Sequence, residues 1–325
     1  MRRPVPKSQR QYVKNSPARR AMAKLEGVKP GKFPAFIPPM LATLRATPQS
    51  DPSWVHEIKF DGYRLQVHLQ EGQAGFFTRR GYDWTPRFKS LQEPFWNLNA
   101  TSAVIDGEVV VLTDEGLSDF GALEDDLGAG RSDRLVYFAF DLLYLDGFDL
   151  RRAHLIDRKN LLSILLEGSD DRLRYSAHVE GGQSLLADAC RMHLEGLVSK
   201  RRSSVYSSRR SADWVKATCR KRDTFIVAGI AYKRGKFEGV YLGRKNGRSL
   251  TYAGKVERGF TPESQQALER RAASLSAKAQ PLTPKIRKPK AHWLKPKLKV
   301  DVEYRALTGE GKVRHPSFRG LREDI

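Results

Sequence analysis

Two textures divide the chain. From Trp54 onward, apolar and polar residues alternate in short runs, the spacing of half-buried strands. Residues 56–69 read as a strand, a turn at Gly62 and a second strand in which Leu65, Val67 and Leu69 share one face. Strands are also expected at 75–79, 135–143, 197–198 and 214–216, and a strongly apolar strand pair at 103–112 around Asp106-Gly107-Glu108. Helical spacing predicts helices over 85–96, 158–167 and 183–193. Near residues 220–223 the texture changes. Strands at 225–232, 239–243, 250–256 and 300–307 follow, interrupted by one helical segment at 262–275.

About 100 residues of short strands with one helix suit a small barrel such as an OB-fold. The expected class is α+β, with a domain of antiparallel sheets and helices over 34–222 and an OB-fold over 223–325. Residues 1–33, with Arg2, Arg3, Lys7, Arg10, Lys14, Arg19, Arg20 and Lys24, read as a flexible or partly helical basic arm. The run Pro-Ala-Phe-Ile-Pro-Pro at 34–39 marks the entry to the folded region.

Charge narrows the partner. The 58 Lys and Arg against 37 Asp and Glu leave +21, an excess that favours a polyanion. A membrane surface is one candidate, but no uncharged apolar run approaches the roughly 18 residues of a spanning helix. No signal-peptide h-region is visible, and a cytoplasmic protein is expected. Cys190 and Cys219 form no CxxC pair, which argues against a disulfide framework and against a cysteine zinc site.

The candidate chemistry centres on Glu57-Ile-Lys-Phe-Asp-Gly-Tyr-Arg64. A lysine at a strand end, two residues before Asp-Gly, is a candidate nucleophile. Its amine must lose a proton to attack phosphorus, so neighbouring cations such as Arg64 or a bound metal are needed. The competing reading is an exposed lysine before a turn. Glu108, beside Asp106 in an apolar strand, and Glu195 are costly carboxylates unless paired with arginine or a metal; oxygen ligands near phosphate suit Mg²⁺. Phe138 offers a flat face for a purine, or is simply core. Lys200 and Lys216, at strand exits, either touch phosphate or are solvated ends. Residues 309–313 do not make a P-loop, and the seven histidines lack metal-ligand spacing.

Taken together and in this order, the segments resemble the covalent nucleotidyltransferase superfamily of ATP-dependent DNA ligases, capping enzymes and RNA ligases. They are most similar to the ligase module of bacterial non-homologous end-joining ligases. The resemblance rests on Lys59-Phe-Asp-Gly-Tyr-Arg64, Thr78-Arg79-Arg80-Gly81, Asp106-Gly-Glu108, Phe138-Ala-Phe-Asp141, Glu195-Gly-Leu-Val-Ser-Lys200, Trp214-Val-Lys216 and the tail from His315 to Asp324.

It implies an ATP-grasp-like adenylation domain before the OB-fold, with Lys59 as the nucleophile that takes AMP. Glu57 and Ile58 would lie beside adenine, with Phe138 stacked on it. Arg64 and Arg79 would meet ribose, phosphate or the nick 5′-phosphate. Glu108 would bind ribose or metal, and Glu195 the metal, Mg²⁺ or Mn²⁺. Lys200 and Lys216 would hold the α-phosphate, and Arg322 and Asp324 would orient pyrophosphate. The implied substrates are ATP and nicked or broken duplex DNA, with a Ku-type end-binding protein as partner and a nucleoid-associated location. A hinge near 220 would let the barrel serve successive steps. The family often carries a second lysine two residues after Lys216; here Thr218 stands there, with Arg220 and Lys221 close in sequence. An RNA ligase, a capping-type enzyme and a non-catalytic DNA-end scaffold remain as alternatives, while the absent cysteine zinc site argues against an NAD-dependent ligase.

Overall fold

The computed structural model describes residues 16–182, 184–247, 249–287 and 291–322. Two units divide between Cys219 and Arg220. In chain order the first contains α1 (Pro17–Met22), β1 (Lys29–Pro30), β2 (Leu41–Leu44), β3 (Trp54–Ile58), β4 (Tyr63–Gln70), β5 (Gln73–Thr78), α2 (Gln92–Trp96), β6 (Ser102–Val111), α3 (Phe120–Gly128), β7 (Leu135–Leu145), β8 (Phe148–Asp149), α4 (Leu155–Leu165), β9 (Leu173–Tyr175), β10 (His178–Val179), α5 (Ser184–Arg191), β11 (Gly196–Arg201) and β12 (Arg210–Thr218).

These strands form two sheets. One runs β1-β8-β7-β6-β4-β5 with β9 beside β7, and the other runs β10-β3-β11-β12-β2. The inward residues of β4 to β7, among them Leu65, Val67, Phe76, Ile105 and Tyr137, bury themselves with Leu161 and Leu162 of α4. A second cluster draws on both sheets. Val55 and Trp214 come from one, Val104, Leu143 and Tyr144 from the other, with Met40 and Tyr206 beside them. That shared cluster fixes the two sheets face to face and sets the walls of the site described below.

Several sequence expectations shift in detail. The strand pair expected at 103–112 is one strand, β6; its pairing with β7 slips register at Val104/Ile105 and Asp106/Gly107. The helix expected over 85–96 is broken into two 3₁₀ turns, Thr85–Arg87 and Lys89–Leu91, followed by the short α2. Pro86 and Pro94 withhold amide donors from that stretch. Helix α3 was not expected; the Asp119 carboxylate caps it by accepting from the Ala122 N–H. Within the expected basic arm, α1 starts at a Ser16 cap with Pro17 behind it, and buries Ala18 and Met22 in the main core.

Cys190 and Cys219 are joined by a disulfide, contrary to the reading of the sequence. Cys190 lies in α5 and Cys219 just beyond β12, a contact made only by the tertiary fold. Spacing in sequence carries no trace of it.

The second unit contains β13 (Lys221–Lys233), β14 (Lys236–Asn246), β15 (Ser249–Val256), α6 (Pro262–Ala273), β16 (Ala291–Trp293), β17 (Lys299–Tyr304), β18 (Ala306–Leu307), β19 (Val313–Arg314) and β20 (Ser317–Leu321). The long β13 changes partners along its length. Its start pairs with β17, its later part with β14 and β16. Such partner exchange bends a sheet around one core, here Val227, Ile230, Leu242, Leu268, Val300 and Phe318. This is the expected OB-fold. Among the described residues, no helix is long and apolar enough to cross a membrane.

Candidate active site

The site is built where the chain passes from one sheet of the first unit to the other. β3 belongs to one sheet and β4 to the other, so residues 59–62 cross between them. The Lys59 N–H donates to the Gly196 carbonyl at 2.9 Å, extending the β3–β11 pairing by one residue before the turn. Gly62 is needed here for space rather than for an unusual φ. A Cβ at this position would lie 2.1 Å from the Val109 carbonyl oxygen of β6.

A pocket opens between the sheets. Its lining includes Glu57, Ile58, Lys59, Val198, Lys200, Trp214 and Lys216 from the β3–β11–β12 side, and Arg64, Arg79, Glu108 and Phe140 from the other. Register explains the first set apart from Ile58. Glu57 lies opposite Val198, and Val198 opposite Lys216, while Lys200 lies opposite Trp214. Because side chains alternate between faces, these residues and Lys59 share one face. On the other sheet Arg64 pairs with Glu108 across β4–β6. The Lys59 Nζ donates to Glu195 Oε2 at 2.5 Å.

The carboxylates of the pocket differ sharply in their company. Glu57 is 3% exposed and sits between two buried lysines. Lys159 Nζ lies 2.8 Å from Oε1 and Lys200 Nζ 2.9 Å from Oε2, and the Ser176 hydroxyl donates to Oε2. Burial alone would raise the Glu57 pKa, but Lys159 and Lys200 outweigh it and hold the carboxyl below its usual range. Lys200 also faces the rings of Phe140 and Trp214 at 4.4 and 4.3 Å. Burial, with Lys159 pushing the same way and Glu57 opposing, lowers the Lys200 pKa to about 8.

Glu108 is the opposite case. Burial pushes its pKa up to about 8, with Lys59 and Arg64 opposing and Glu195 and Asp106 adding to the rise. Arg64 does not neutralise Glu108 directly, because its guanidinium is committed to Asp106 in a bidentate pair at 3.0 and 2.6 Å and to the Met40 carbonyl at 2.7 Å. For Asp106 the arginine salt bridge is therefore the correct reading. Arg64 is accordingly a shielded cation rather than a bare charge beside Lys59.

The expected residues divide as follows. Glu57, Ile58, Lys59, Arg64, Arg79, Glu108, Lys200 and Lys216 come together in one pocket, and Glu195 reaches it through Lys59. Phe138 is not among the lining residues; it stacks on Phe60 with centroids 4.0 Å apart. Phe140, two residues along the same strand face, lines the pocket instead. Arg322 lies in the second unit, where it donates to the Thr224 hydroxyl at 2.6 Å. Asp324 falls outside the described residues.

Thr218 is buried, and its hydroxyl has no hydrogen-bond partner among the described residues. Arg220 is engaged with Glu303 in the second unit. Lys200 lies inside β11 rather than at a strand exit, which is why it is buried rather than a solvated end. Sequence reasoning missed Lys159, Phe140 and the buried Trp214 Nε1, which has no partner among the described residues. The aromatic alternation Tyr-Phe-Ala-Phe could have offered Phe140 as readily as Phe138; nothing local could have offered Lys159.

Comparison with known proteins accounts for both units. The family described as ATP dependent DNA ligase domain matches residues 39–217, and the ATP dependent DNA ligase C terminal region matches 233–325. The chain belongs to the ATP-dependent DNA ligase family. It is 39% identical over 320 residues to the multifunctional non-homologous end joining protein LigD of Pseudomonas aeruginosa, a match covering 95% of this chain and 37% of that protein. The LigD of Mycolicibacterium smegmatis is 31% identical, with 39% of its length covered, so the chain spans under two fifths of these relatives. The prophage-derived DNA ligase-like protein LigB of Bacillus subtilis is 28% identical, with 88% of this chain and 99% of that protein covered. Among solved structures, a mycobacterial DNA ligase D complexed with ATP and MES superposes with TM-score 0.54 at 31% identity, covering 89% of this chain and 96% of that one.

Proposed function

We propose that this chain seals nicks or ends in duplex DNA through a lysyl-adenylate on Lys59, as part of an end-joining repair. The observation that carries the reading is the place of the Lys59 amine: at the junction of two sheets, in a pocket shared with Glu57, Arg64, Glu108, Lys200 and Lys216. In the first step the amine attacks the α-phosphorus of ATP. An N–P bond forms, the α–β P–O bond breaks and pyrophosphate leaves. AMP then passes to a DNA 5′-phosphate, and the 3′-hydroxyl displaces it. Every step places charge on phosphoryl oxygens, which preorganised cations stabilise.

Lys200 and Lys216 would receive the α-phosphate. One carboxylate shared by the two buried lysines, Lys159 and Lys200, leaves local positive charge in excess, which an anion would relieve. Phe140 takes the purine-stacking role first considered for Phe138, and Glu57 would face the purine amino group. Arg79 would meet ribose or phosphate, and Arg322 and Asp324 pyrophosphate.

For the metal, the described residues contain no group of three ligating side chains. Glu108 is nonetheless a carboxyl that burial keeps largely protonated, the condition a dication would reverse. Glu108 and Glu195 would hold Mg²⁺ or Mn²⁺, with phosphate oxygens and water completing the shell. Its chemistry there is to neutralise phosphate charge. The net charge of +21 would hold DNA largely through its phosphates and make binding steeply salt-sensitive. A Ku-type end-binding partner and a cytoplasmic, nucleoid-associated location fit the same reading.

The test is incubation with α-labelled ATP and Mg²⁺, with Lys59→Ala as control, followed by a denaturing gel and then by nicked duplex. Label should stay on the wild-type protein, be absent from the variant, and pass to DNA. Equal labelling of both proteins would dismiss Lys59 as the nucleophile.

A further inference from the structure

The buried lysine of α4 has no role in the chemistry so far. Lys159 is fully buried and does not line the pocket. Its Nζ is fixed from two sides, donating to the Ser176 carbonyl at 2.9 Å and lying 2.8 Å from Glu57 Oε1. The same Nζ lies 4.7 Å from the centre of the Tyr175 ring. On its far side Glu57 Oε2 takes Lys200 and the Ser176 hydroxyl. Oε1 takes the Lys159 ammonium and no other donor among the described residues, and Glu57 itself lines the pocket. A buried carboxylate is thus clamped at both oxygens while one oxygen keeps acceptor capacity.

We propose that Lys159 is a positioning residue for nucleotide choice: it holds Glu57 as a fixed, acceptor-only carboxylate, so that the pocket takes a purine bearing an exocyclic amino group and rejects one bearing an oxo group there. The proposal rests on the reading of Glu57 as the purine-facing residue. An ionised carboxylate can only accept, and an amino group donates to it. An oxo group would set two acceptors against each other in a buried site. A protonated Glu57 could donate to the oxo group, and discrimination would fade. The groups facing Glu57 are Lys159 from α4, Lys200 from β11, Tyr175 at the end of β9, Ser176 just after it, and His178, paired with Glu57 across β10–β3. The two lysines are the cations that oppose the cost of burying its charge; Lys159 has no other carboxylate partner among the described residues, and Lys200 also faces the pocket.

The experiment compares self-labelling of the full chain with ATP and with inosine triphosphate, in the wild type, Lys159→Met, Lys159→Gln and Lys159→Arg, each checked by thermal unfolding. The wild type should favour ATP strongly, with a kcat/KM ratio that is flat between about pH 6 and pH 7.5. Lys159→Met should shrink that ratio by roughly tenfold or more, chiefly through KM, and shrink it further as pH falls. Lys159→Arg should restore much of it. If Lys159→Met does not fold, Lys159→Gln carries the comparison.

Three results would overturn the proposal: wild type that uses both nucleotides equally, a folded Lys159→Met or Lys159→Gln with the wild-type ratio, or an activity loss that lowers both nucleotides alike. Absence of any labelling in the wild type would instead dismiss the ligase reading, and this proposal with it.

Discussion

Glu57 and Glu108 face one pocket from opposite sheets, yet their surroundings push them in opposite directions. Glu57 has two lysines and a hydroxyl on its two oxygens, and its charge is held in place although it is almost wholly buried. Glu108 has cations nearby but none committed to it: Arg64 serves Asp106, and Lys59 serves Glu195. A carboxylate completed by the protein can read a neutral group by hydrogen bonding. A carboxylate left incomplete is disposed to take a cation from outside. Under the proposed function, Glu57 would read the purine and Glu108 would take the metal.

The largest test of that contrast is Glu57→Gln. It leaves Lys159 and Lys200 buried around a neutral amide, and the loss of a buried ion-pair partner costs about 3–5 kcal/mol. Urea unfolding should show a lower midpoint with an unchanged slope. A wild-type midpoint would mean that the lysines find other compensation and that Glu57 is not the centre of the cluster. Lys200→Met is the next step down. Lys159 still guards Glu57, so folding should survive, but a phosphate-facing cation is gone. Self-adenylation should fall about 10²-fold in kcat/KM. In the wild type, the KM for ATP should rise as pH climbs through about 8, where Lys200 loses its proton. A KM insensitive to pH across that range would remove Lys200 from the phosphate site.

How much of this was legible beforehand depends on how local each feature is. Lys59, Glu57, Arg64, Glu108, Glu195, Lys200 and Lys216 lie in short contiguous motifs. The strand alternation that made those motifs readable is also what places Glu57 and Lys216 on one face. The OB-fold was readable because turns and β-branched runs recur at short intervals through the second unit.

Features made by distant contacts were not legible. Lys159 meets Glu57 across 102 positions of sequence, since 159 − 57 = 102. The disulfide joins residues separated by 29 positions. The choice between Phe138 and Phe140 turned on which ring Phe60 covers, which alternation leaves open because both rings occupy the same face. Gly62 is legible as a turn, but its constraint, the Val109 carbonyl pressed against it, is not.

The smallest expected effect is the most discriminating, because its sign opposes that of Glu57→Gln. The Glu108 pKa, raised by burial to about 8, exceeds the 4.5 of an ordinary glutamate. Between those two values the folded protein binds a proton at this site that the unfolded chain has already released. By linkage, this group's contribution to stability is greatest below pH 4.5 and declines as pH rises through about 8. Glu108→Gln removes the titration and keeps the shape. At pH 8 and without divalent metal it should therefore stabilise the fold by about 1 kcal/mol, raising Tm by roughly 2–4 °C, while self-adenylation is lost. Saturating Mg²⁺ should raise the Tm of the wild type at that pH and leave the variant nearly unmoved. A variant destabilised at pH 8, or one that gains as much from Mg²⁺ as the wild type, would place Glu108 among the carboxylates the protein completes by itself.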